Sequence, residues 1–174
     1  MNWGSGLLFL GSIICLIGIG YQDFKYFAIS WGWLPLLAFL SIFEGVNLLP
    51  FHVLIQDYAM SLIFVITQLS LITFWFSLKE KKLVNISLGV LGLGDILFLL
   101  VLVFSFSFIN YLVFVIVSIF FIALVYYFLQ KILMLKEKRI PLAGGMALSL
   151  VVVKLLSIFG FITNLYSNQY LWVK

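Results

Sequence analysis

The sequence predicts an all-α fold: a polytopic membrane bundle of about six transmembrane helices, built as a single unit over residues 1–174. Three observations lead there. Of the 174 residues, 65% are hydrophobic and 9% charged, with a mean hydropathy of +1.26, whereas an ordinary soluble domain is roughly one-quarter charged. The Lys and Arg residues fall in short clusters between apolar runs. The runs themselves have the length of membrane spans, about 20 residues each. Nearly all of the chain is spent on spanning, which leaves no room for a soluble appendage.

The first predicted span runs from Leu7 to about Tyr26. It carries Gly4, Gly11 and Gly18 at seven-residue spacing, a stripe that lets a second helix approach closely. No basic region precedes it and no Ala-x-Ala-like site follows, so it reads as a permanent helix rather than a signal peptide. The second span covers about Trp31 to Leu49, with Pro35 in a first turn that tolerates proline. Phe43 to Asp57 contains Glu44, His52 and Asp57 and no Lys or Arg, a composition suited to an outer loop. The third span covers about Tyr58 to Leu78 and ends on the basic cluster Lys79-Glu80-Lys81-Lys82. Leu83 to Leu91 is too short to span and reads as an interfacial or re-entrant stretch.

Ile96 to Leu129 is apolar over about 34 residues, too long for one helix across a core roughly 30 Å thick. Its polar break is Ser105 to Asn110. Splitting there gives a fourth span, about Asp95 to Phe108, and a fifth, about Tyr111 to Leu133. The fourth is short and reaches across only if residues 92–95 lie within the membrane boundary. Lys131, Lys136, Lys138 and Arg139 form the second basic cluster, and Pro141 opens a sixth span to about Ile162. The tail from Asn164 carries Tyr170 and Trp172 as interface anchors. With both basic clusters on the cytoplasmic side, the N- and C-termini are predicted outside.

This topology selects two of the six acidic residues. Asp23 stands near the cytoplasmic end of the first span, and Asp95, in Gly92-Leu-Gly94-Asp95, at the cytoplasmic start of the fourth. A carboxylate at membrane depth costs several kcal/mol or more unless it is satisfied. Two of them held close together share a proton. One then acts as general base on a water and the other as general acid, the chemistry of aspartic proteases. That chemistry needs no covalent nucleophile, metal or cofactor. Gly92 and Gly94 remove side chains beside the acid and would let an extended substrate backbone approach. The bland alternatives are a helix N-cap for Asp95 and, for Asp23, an interfacial polar residue paired with Lys25 or another cytoplasmic Lys. Glu80 and Glu137 lie inside basic clusters and read as solvated counter-charges.

Asp23-Phe-Lys-Tyr-Phe-Ala-Ile29-Ser30, Gly92-Leu-Gly94-Asp95 and Ile140-Pro141-Leu-Ala-Gly144-Gly145 together resemble the type IV prepilin peptidase family, membrane aspartic proteases that include the archaeal preflagellin peptidases. The resemblance covers most of the chain. It implies Asp23 and Asp95 as catalytic residues and the leader of a prepilin-like protein as substrate, cut at the cytoplasmic face of the cell membrane. Ser30 stands where that family usually has proline, and Leu97 where it often has lysine. Nothing matches the Cys-x-x-Cys segment of the bacterial members that also methylate their product, so the resemblance implies a peptidase alone.

Other readings remain beside the protease: a catalytically silent membrane scaffold, or a small transporter using the two aspartates as a relay. Lys154, deep in the sixth span, is expected to be structural and to pair with an outer-side acid such as Glu44 or snorkel outward. Cys15 is the one cysteine, which excludes an internal disulfide and reads as a packing residue. His52 is the one histidine and has no companions for a metal site. The basic clusters flank apolar runs and do not form a nucleic-acid surface, so the expected partners are the lipid bilayer and the substrate protein.

Overall fold

A computed structural model describes residues 3–83, 91–133, 141–160 and 165–166. Six helices follow one another: α1 (Trp3–Tyr26), α2 (Trp33–Leu48), α3 (Phe51–Glu80), α4 (Leu93–Leu102), α5 (Phe108–Leu133) and α6 (Leu142–Ile158). A 3-10 turn, Val103–Ser105, extends α4. The predicted all-α bundle is therefore what forms. The interfacial stretch falls largely on residues 84–90, which lie outside the described residues, as do Lys136, Glu137, Lys138, Arg139 and the tail anchors Tyr170 and Trp172.

Among the described residues three helices are long and apolar enough to cross a membrane: Ser5–Tyr26, Phe51–Glu80 and Phe108–Lys131. The chain is a membrane protein on that basis. The other three predicted spans are shorter apolar helices, Trp33–Leu48, Leu93–Ser105 and Leu142–Ile158. The break expected between Ser105 and Asn110 is present, since α4 ends in the 3-10 turn and α5 starts at Phe108. Here Ser107 N–H donates to the carbonyl of Leu165 and Asn110 Nδ2 to the same carbonyl. The Ser107 N–H and the Asn110 Nδ2 donor, which an apolar bundle would otherwise orphan, are thus satisfied within the chain.

The outer connection is shorter than its polar composition suggests. α2 continues to Leu48, and α3 already begins at Phe51. Leu49 N–H closes α2 on the carbonyl of Gly45, and Pro50 lies just ahead of α3, a place where its missing N–H costs nothing. Glu44 and Asp57, expected in a loop, are helical and buried. At the other end, α3 stops at Lys81 in a left-handed conformation, with the exposed pair Lys82–Glu80 at 3.2 Å. That agrees with Glu80 as a solvated counter-charge.

Glu44 can be buried because Lys154 meets it. Lys154 Nζ donates to Glu44 Oε2 at 2.6 Å and to Ser12 Oγ at 2.7 Å, while Ser12 Oγ donates to Glu44 Oε1 at 2.7 Å. The ammonium also lies 5.4 Å from the centre of the Phe9 ring, and Tyr166 Oη reaches Glu44 Oε2 and the carbonyl of Ser41. Lys154 is fully buried. Of the two placements expected for Lys154, pairing with Glu44 is the one that forms, and it ties α6 to α1 and α2. Losing one partner of such a pair costs about 3–5 kcal/mol, because the other charge is left buried alone.

Gly11 and Gly18 of the α1 stripe bring α1 close to α2. A Cβ added at Gly11 would stand 3.3 Å from Leu40, and one at Gly18 would stand 3.0–3.2 Å from the Trp33 ring. Gly18→Val should overpack this contact and destabilise the bundle by about 1–3 kcal/mol. Thermal unfolding in detergent checks this, with Gly32→Val as control, because nothing lies within 4 Å of a Cβ at Gly32.

Candidate functional site

The site is assembled where the C-terminal end of α1, the start of α4 and the start of α6 meet. α1 brings Asp23 there, one turn before its end at Tyr26. α4 starts after Gly92, which has an extended conformation (φ −64°, ψ 146°). Asp95 is then the third residue of the helix, where a carboxylate can turn back to the free amides of the first turn. It does so: Asp95 Oδ2 accepts the Gly92 N–H at 3.2 Å. Asp95 therefore takes part in capping α4, but from inside its first turn.

The other oxygen of Asp95 leaves its own helix. Asp95 Oδ1 accepts the Ala143 N–H at 2.9 Å, and Asp23 Oδ2 accepts the Gly144 N–H at 2.6 Å. The two carboxylates are thus held by consecutive amides in the first turn of α6. Standard backbone bond lengths then keep the bonded oxygens within roughly 10 Å of each other. Asp23 is buried and Asp95 half-buried. Pro141 precedes α6, so the amides that follow have no intrahelical acceptor and are available to side chains. They also carry the positive end of the helix dipole, which favours nearby negative charge.

Lys25 does not pair with Asp23. Its ammonium donates to Tyr21 Oη at 2.9 Å and lies 5.3 Å and 5.1 Å from the ring centres of Tyr21 and Tyr26. Among the described residues, Asp23 and Asp95 have no cationic side chain within ion-pair distance. Asp23 Oδ1 accepts no hydrogen bond from the described residues. Toward the described residues this pair therefore keeps acceptor capacity.

The glycines divide. Gly92 is exposed, and the nearest atom to a Cβ there would be Asp95 Oδ2 at 3.1 Å. The space beside Gly94 is filled by this chain's own Ile29, at 3.3 Å from an added Cβ. Ile29 belongs to the α1–α2 connection, which is anchored by Ser30 N–H donating to Gln22 Oε1 at 2.9 Å. Open approach is thus a property of Gly92, and Gly94 serves internal packing. Next to the site an apolar cavity of about 480 Å³ lies between α5 and α6. It reaches Phe24, Pro141 and Gly145, neighbours in sequence of the acid-holding residues.

His52 is exposed, and no cluster of three or more potential metal ligands occurs among the described residues. Cys15 is buried and free. The part of the site that sequence reading missed is the backbone of Ala143 and Gly144. Its only trace in the sequence is a proline followed by small residues. Gly144 is closely enclosed: a Cβ would lie 3.0 Å from both Cβ and Oδ2 of Asp23 and 3.1 Å from Phe24. Gly144→Ala should displace Asp23 and lower stability by about 1–3 kcal/mol. Melting in detergent checks this against Ser149→Ala, further along the same helix.

Compared with known proteins, the chain matches no family model, no curated protein and no solved structure.

Proposed function

We propose that this chain is a membrane aspartic endopeptidase that cleaves the N-terminal leader of prepilin-like proteins at the cytoplasmic face of the cell membrane, with both of its own termini outside. The observation that carries the reading is the convergence of Asp23 and Asp95, far apart in sequence, on the consecutive amides of Ala143 and Gly144.

The chemistry follows from two carboxyl groups with one water between them. One carboxylate takes a proton from the water as its oxygen bonds to the scissile carbonyl carbon. The other carboxyl gives a proton to the carbonyl oxygen. Collapse of the tetrahedral carbon breaks the C–N bond, and the leaving nitrogen takes a proton from the acid. The α6 amides orient both carboxyl groups before substrate arrives, so little reorganisation accompanies the charge changes. The exposed Gly92 offers an approach for an extended backbone, and the apolar cavity beside the pair is matched in chemistry to the apolar helix that follows a leader.

Purified protein incubated with a leader-bearing substrate tests this. Asp23→Asn and Asp95→Asn should each lower cleavage by about 10²–10⁴-fold while the melting behaviour shows a folded bundle. Full activity in either variant would exclude the paired-acid mechanism.

A further inference from the structure

The buried cluster around Lys154 lies well away from the acid pair, and its hydrogen-bonding capacity is largely taken up within the chain. Nothing in it calls for a ligand. Its placement relative to Asp23 is informative instead. α1 and α6 are joined by polar contacts at two levels: Gly144 N–H to Asp23, and Lys154 Nζ to Ser12 Oγ. Ser12 precedes Asp23 by 11 residues and Gly144 precedes Lys154 by 10. At about 1.5 Å per residue, the two levels are about 15–17 Å apart on either helix. The helices are antiparallel, so the two contacts share one axial register.

Between these levels the buried residues are apolar, among them Leu16 and Ile19 on α1 and Met146, Ala147 and Leu150 on α6. Such surfaces in lipid gain little from one alignment over another, and neighbouring helices can shift by one turn, about 5.4 Å. A shift of that size would carry the Gly144 N–H past Asp23. It would also pull a fully buried ammonium away from Glu44 and Ser12, which the apolar interior opposes strongly.

The geometry points to Lys154, with Glu44 and Ser12, as a positioning residue: the cluster fixes the axial register of α6 on α1 and thereby the meeting of its first-turn amides with the aspartates. This rests on the protease reading for its effect on turnover, but the register itself can be read without it.

The test uses the full chain with Cys15→Ala. Glu44→Leu with Lys154→Met removes both charges and roughly keeps volume. For the register, Gly20→Cys and Leu148→Cys are added, since a Cβ at Gly20 lies 3.3 Å from the Leu148 side chain. The parent should form the 20–148 disulfide readily, and the neutral pair should lose most of it while staying helical. In the background without the added cysteines, kcat for leader cleavage should fall on the order of 100-fold with KM unchanged. Parental crosslinking in the neutral pair would overturn the inference, as would parental kcat. If the parent cleaves no leader substrate, the protease reading fails and the crosslink alone decides the register. Should the neutral pair fail to fold, Ser12→Ala replaces it and should reduce the crosslink; an unchanged yield overturns the inference.

Discussion

Polar contacts decide how this bundle is arranged, because apolar ones decide so little. Lipid tails are as apolar as the helix faces, so burial alone does not tell one helix from another. What discriminates is the cost of leaving a donor, acceptor or charge unsatisfied in a medium without water. The chain meets that cost at two places in particular. Near one end of α1, Asp23 and Asp95 find the amides of α6. Further along, Lys154, Glu44 and Ser12 satisfy one another. Glycines and aliphatic side chains then fill the space between.

The two clusters answer the same problem with opposite consequences. Around Lys154 positive and negative charge are matched and the groups are buried. At the aspartates two acids face a helix terminus that supplies only partial charge. Asp95 is half-buried, and Asp23 Oδ1 accepts no hydrogen bond from the described residues. The proposed acid–base chemistry on a water would draw on the acceptor capacity that the described residues leave.

Much of this was legible in the sequence. The clustering of Lys and Arg put Asp23 and Asp95 at one end of the bundle. The polar break at Ser105–Asn110 divided one long apolar run correctly, and the mid-span Lys154 called for an acid such as Glu44. The outer connection was misjudged in length for the same physical reason: Glu44 and Asp57 look like loop residues until their burial is seen. The partners of the acid pair were not legible because they are peptide N–H groups, which every residue but proline possesses. Only the folded position of α6 distinguishes those of Ala143 and Gly144. Gly94 was misleading in a similar way, since the residue that uses its missing side chain, Ile29, comes from a distant connection.

Lys25 turns to the rings of Tyr21 and Tyr26, so the counter-charge that the described residues supply to the acid pair comes from peptide geometry. This has a genetic consequence. A systematic alanine scan along α6 would pass over one of the two key donors entirely, because residue 143 is already alanine. At residue 144 the scan would add a methyl group where there is no room and keep the N–H that matters. Substitutions that keep the backbone amide leave that counter-charge in place. It is lost when the first turn of α6 loses an N–H or its helical form, which makes this part of the site hard to find by changing side chains.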